Sequence, residues 1–175
     1  MGLFGKPTIS EEEAAAQFVI AMLTGVRENW TKITGSFRTL MHKSEKLDSP
    51  WAQLEFGIAT MSTQLRALAN LFPAEQAERI RGYVLNCLSS AEAGEAALEA
   101  LEAYDGAWDD SIEAGEPPFG AVAVRLCHRL KFGPSDIATV GEFMDPMFLM
   151  ALGGAITTTF SGWWKILLGT HRVVA

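Results

Sequence analysis

The sequence has few of the residue types from which chemistry is most often built. Among 175 residues there are two cysteines, Cys87 and Cys127, and three histidines, His42, His128 and His171. The cysteines form no CxxC pair, and no Cys/His spacing suits zinc. HExxH is missing, and no histidine has a glutamate three residues before it, so neither a zinc-protease site nor a di-iron bundle site can be drawn from the pattern. Cys127 and His128 are adjacent; on a helix their side chains diverge by about 100° and cannot chelate one ion. GxSxG and the Walker glycine-lysine loop are also absent. The pattern therefore assigns no catalytic, cofactor-binding or metal-ligating residues.

Positive charge is scarce too. Fourteen Lys and Arg face 21 Asp and Glu, for a net charge of −7. Neutralising a phosphate backbone needs a basic surface, so nucleic acid is an improbable partner. Two unpaired thiols fit a reducing compartment, and a cytoplasmic protein is expected. Met1 to Pro7 lacks the apolar core of a secretory leader, and Lys6 stands where a myristoylation signal wants Ser or Thr. Alternating strand patterns do not stand out, and there is no internal repeat.

Long hydrophobic runs are nearly lacking as well, with one exception. Met147 to Leu168 carries no charge before Lys165. Read as one helix, it shows a bulky stripe of Leu149, Leu152, Ile156, Phe160, Trp163 and Leu167. A second stripe of small residues holds Gly154, Thr158 and Gly162. A helix without a polar face has to be surrounded. The run is long enough to cross a bilayer, but its mean hydropathy of roughly +1 is low for a span. A buried helix in a protein interior is the expectation, and membrane association through 147–168 is the rival.

The remaining sequence is ordinary globular material: 49% apolar and 20% charged, enough for one domain with a sizeable core. Residues 1–9 are expected as a flexible arm and 10–175 as a single helical domain. Ser10 and Glu13 form a capping box. From there Val19, Leu23, Val26, Trp30, Ile33, Phe37 and Leu40 keep a heptad-like stripe, predicting one helix of roughly 30 residues that ends near 42–46. Asp48-Ser49-Pro50 starts a second, with Trp51, Leu54, Ile58, Met61, Leu65, Leu68 and Phe72 inward. The short connection makes the two an antiparallel hairpin. Pro73 opens a third helix. A fourth spans 91–116, with a possible interruption at Asp105-Gly106. Glu116-Pro117-Pro118-Phe119-Gly120 is a connector, followed by a fifth helix to about Lys131. A short helix from Ser135 or Asp136 to about Phe143 precedes the apolar run. The fold class is thus all-α: a single-domain bundle of six or seven helices with a long N-terminal hairpin and a buried C-terminal helix.

Two features are candidates for function. The fourth helix carries Glu92, Glu95, Glu99, Glu102, Asp105, Asp109, Asp110, Glu113 and Glu116 with no Lys or Arg among them. Glu92, Glu95, Glu99, Glu102, Asp109 and Glu113 make a candidate face for a basic partner; a solvated face that confers solubility is the plainer reading. The tryptophans Trp108, Trp163 and Trp164 are the candidate lining of an apolar pocket, with core packing as the plainer alternative. The leading expectation is a non-enzymatic interaction or assembly protein acting on a protein partner or on a second copy of itself. A small-molecule or lipid binder is the second.

Overall fold

The computed structural model describes residues 6–91, 94–140 and 143–175. A short strand, β1 (Thr8–Ser10), leads into α1 (Glu11–Glu28) and α2 (Trp30–Arg38). A 3-10 turn (Glu45–Asp48) precedes α3 (Pro50–Arg66), and a second (Ala67–Asn70) follows it. Next come α4 (Ala74–Ser89), α5 (Gly94–Glu113) and α6 (Pro118–Arg129). Two-residue strands β2 (Thr139–Val140) and β3 (Phe143–Met144) lead to α7 (Pro146–Thr158), α8 (Trp163–Thr170) and β4 (Arg172–Val174). The architecture is an all-α, single-domain helical bundle; with α1 and α2 taken as one bent rod, it has seven helices among the described residues.

Helix starts follow local chemistry. Ser10 Oγ accepts the Glu13 amide at 3.1 Å, Ser49 Oγ accepts that of Ala52 at 3.1 Å, and Asp145 accepts that of Met147 at 2.7 Å. Each satisfies a donor that the first helical turn leaves orphaned. Pro50, Pro118 and Pro146 occupy first positions, where a missing N–H costs nothing.

The most enclosed element is α3. Every residue from Glu55 to Leu65 is buried, because α1, α5, α6 and α7 all pack against it. The first hairpin is this α1–α3 pair, and α4 covers the other side of α1. A Cβ at Gly57 would lie 3.2 Å from Leu23, which brings the two axes close together. Aromatic rings fill the centre: Phe56 lies against Trp30 at 5.5 Å and Phe37 at 6.4 Å, and Phe37 meets Phe148 at 6.1 Å.

Several local expectations are corrected. The first helix is divided at Asn29, whose amide nitrogen Nδ2 donates to the Gly25 carbonyl at 2.9 Å. Beyond the break Trp30 turns inward and its indole donates to Leu47 O at 2.8 Å. The rod ends at Arg38, well before 42–46, and Lys46 instead bonds Asp136 at 2.7 Å and Lys131 O at 2.6 Å. Among the described residues of the expected short helix, 135–140 and 143, there is no helix, since Asp136 accepts the Gly133 amide and folds the chain into a turn ahead of β2. Helix α5 runs unbroken through Asp105-Gly106.

The apolar run is two helices. Between them Phe160 (φ 56°) and Gly162 (φ 83°) adopt left-handed backbone, which α7 cannot continue. The Phe160 ring then rests on Gly25, where a Cβ would come within 2.2 Å of it. One face of the run is buried through Phe148, Leu152, Ile156, Trp164 and Leu167. Met147, Met150 and Ile166 are exposed on the other. Among the described residues no helix is long and apolar enough to cross a membrane. Part of the expected loose arm is also ordered: β1 pairs in parallel with β4, and Ile9 is buried beneath that pair.

Candidate functional site

Helix α6 is recessed between α5 and α7, and both neighbours run antiparallel to it. Arg129 at its carboxyl end meets Glu99 of α5 at 3.2 Å, whereas Ser111, twelve residues on, exchanges hydrogen bonds with Glu116 just before α6 begins. On the other side Phe132, beyond the carboxyl end of α6, meets Phe148 at 6.4 Å. A Cβ at Gly153 would lie 2.9 Å from the carbonyl oxygen of Phe119 at its amino end. The two walls rise over a short helix and leave an open groove of about 950 Å3.

Small side chains make the room. Ala107, Ser111 and Ala114 form the α5 wall, Gly120, Ala121 and Val124 the floor, and Leu149 and Met150 the α7 wall, with Phe119 at one end. Phe119 is 38% exposed and Met150 67% exposed, so the groove presents apolar surface to water. Its four ionisable side chains separate by sign. Asp110 and Glu116 line the end at the α5–α6 connection, and Arg125 and His128 line the end near the α6 carboxyl terminus. None of the four makes an ion pair among the described residues, although all four are exposed.

The inward face of the same helix is different. Arg129 grips Glu55 of α3, its Nε 2.9 and 2.8 Å from the two carboxylate oxygens and its Nη2 2.8 Å from Oε1. The Tyr104 hydroxyl donates to Glu55 Oε2 at 2.5 Å. Glu55 is completely buried, so its charge is tolerable only because both oxygens are met by donors. Burial, reinforced by the Glu55 charge, holds the Tyr104 proton far above the ordinary tyrosine range. The hydrogen bond to Glu55 holds the Arg129 guanidinium firmly protonated. Burial pushes the nearby Cys127 thiol up to about 12. Burial thus keeps the Tyr104 phenol and the Cys127 thiol protonated, and neither these groups nor Glu55 and Arg129 line the groove. No motif or spacing in the sequence marks Glu55, Tyr104 and Arg129 as partners.

The acidic face of α5 divides in the same manner. Arg66 meets Asp109 at 2.7 Å, and its hydrogen bond draws that carboxyl below the usual range. Arg81 and Ser62 hold Asp105, and Arg129 holds Glu99. Glu95, Glu102 and Glu113 are exposed with no ion pair among the described residues. Glu92 lies outside the described residues. Three bases from other helices thus pair with Glu99, Asp105 and Asp109 and leave the rest of a stripe that is uniformly acidic in sequence unpaired among the described residues.

The tryptophans do not gather at the groove. Trp108 is half-buried and lies under the Arg66 guanidinium at 5.4 Å. Trp164 is buried against Phe18 at 4.7 Å and Phe72 at 6.0 Å, and Trp163 stands edge-on to it at 4.8 Å. Among the described residues no group of His, Cys, Asp and Glu could hold a metal ion. Protein-family models, curated proteins and solved structures offer no match to the chain.

Proposed function

We propose that this chain is a non-enzymatic helical interaction module whose α5–α6–α7 groove receives an amphipathic helical segment of a protein partner. The observation that carries this reading is the recessed α6. It is three turns long, Gly120, Ala121 and Val124 form the groove's floor, and exposed Phe119 and Met150 stand at its end and wall. A helix laid between α5 and α7 would cover those apolar atoms and complete a further layer of the bundle, a familiar way for a groove to recognise a peptide. The two free thiols suit a cytoplasmic setting.

The test is site-specific photocrosslinking in the source cell. A photoreactive amino acid installed at position 150 should give one dominant protein adduct, joined through a segment with helical apolar periodicity. The same probe at the exposed Ile20 of α1 should not give it. Adducts shared by both positions, or lipid adducts at 150, would refute the reading. An adduct to a second copy of this chain would replace the foreign partner with self-assembly.

A further inference from the structure

The groove has a direction as well as a shape. Asp110 and Glu116 lie at one end and Arg125 and His128 at the other, and among the described residues these are its only ionisable lining groups. The eleven residues from Pro118 to His128 rise about 16 Å, so a helix of three turns reaches from one pair to the other. A helix carries about half a positive charge at its amino end and half a negative charge at its carboxyl end. Laid parallel to α6, an occupant would put its positive end over the two carboxylates and its negative end over the Arg125 guanidinium. Laid the other way, both ends would meet like charge. The parallel orientation also sets the occupant antiparallel to both walls, since α5 and α7 each oppose α6.

Resting on the reading of the groove as a helix-binding site, we infer that it accepts its partner helix in this one orientation and selects an unusual charge pattern. Helices commonly carry acids in the first turn and bases in the last, because their own dipole favours it. Here a first-turn acid would face Asp110 and Glu116, and a last-turn base would face Arg125 and His128. The occupant is therefore a helix with basic or neutral residues in its first turn and acidic or neutral ones in its last. Asp110, Glu116 and Arg125 make no ion pair among the described residues, so they are available to enforce that choice.

A display selection tests this with the full chain. The probe is a library of 14-residue helical peptides that share one apolar stripe, with outward positions in the first and last turns randomised between Lys, Glu and Gln. Binders to the wild type should favour Lys first and Glu last over the reverse by on the order of fivefold. An Asp110→Lys, Arg125→Glu variant should invert the preference; both positions are exposed and unpaired, so the fold is untouched. Groove-dependent binders with no charge bias, or with a bias that survives the swap, would overturn the directional inference and leave the groove reading standing. If no peptide prefers wild type over a Met150→Glu, Ala121→Glu chain, both fall together.

Discussion

Two arginines one turn apart on α6 hold their positive charge in opposite circumstances, although only about 40° separates them around the helix. Arg129, on the inner side, is bound by the buried Glu55 and by Glu99. Arg125, one turn earlier on the outer side, has no ionic partner among the described residues and points into an open groove. The inner cation is required by the fold, because a carboxylate on the central helix is sealed from water and must be compensated. The outer cation stabilises nothing visible, yet it lies opposite an equally unpaired pair of carboxylates in a trough with apolar walls. The contrast separates charge that the fold needs from charge left for something outside the chain.

Arg129→Ala is the harshest way to break that contrast. It strips the strongest donor from Glu55 and should cost about 3–5 kcal/mol of stability, the usual penalty for leaving one member of a buried pair uncompensated. Denaturant unfolding monitored by circular dichroism would measure it. A loss under about 1 kcal/mol would mean that the inner pair behaves like a surface one. A double replacement, Glu55→Met with Arg129→Met, should recover most of the loss, because it removes the buried charge along with its partner.

Tyr104→Phe tests the same inner face more gently. It removes one hydrogen bond to a charged acceptor and should cost about 1–3 kcal/mol at neutral pH. Alkali supplies the sharper signature. The folded chain keeps the Tyr104 proton far above the ordinary range, whereas the unfolded chain releases it near pH 10. The stability this group contributes is complete below that pH and drains away above it, by up to about 1.4 kcal/mol for each pH unit. The gap between wild type and Tyr104→Phe should therefore narrow as pH climbs past about 10. Parallel stability curves would show that Tyr104 ionises as freely in the fold as outside it.

How far these two faces were legible in the sequence follows from how local their signals are. The three-four stripes of α1, α3 and α4 announce themselves because each helix carries its own period, and the caps at Ser10, Ser49 and Asp145 lie next to what they cap. Breaks are harder. Asn29 interrupts a stripe whose period continues on both sides, and the turn at Phe160 to Gly162 hides in a run where Gly162 reads equally well as one of a row of small residues. Long-range pairing leaves no local trace at all. Glu55 looks like any polar residue between Leu54 and Phe56, and its partners lie 49 and 74 residues away. The acidic helix misled for the same reason, since the arginines that neutralise Asp105, Asp109 and Glu99 belong to α3, α4 and α6. The groove depends on small side chains of α5 and α6 meeting across the connector at 116–120, which the sequence marks as a break but not as a cleft.

Arg125→Gln should have the smallest effect on the isolated chain, and its smallness matters to the comparison. An exposed side chain with no ionic partner and no buried neighbour to support contributes within about 0.5 kcal/mol, so the unfolding midpoint should barely move. A measurable loss would reveal that Arg125 braces the bundle, and the outer face of α6 would then be structural like the inner one. If the midpoint holds while the charge preference of groove-bound helices weakens, two arginines four residues apart on one helix will have been separated by role: Arg129 keeps the chain folded, and Arg125 acts only when another helix arrives.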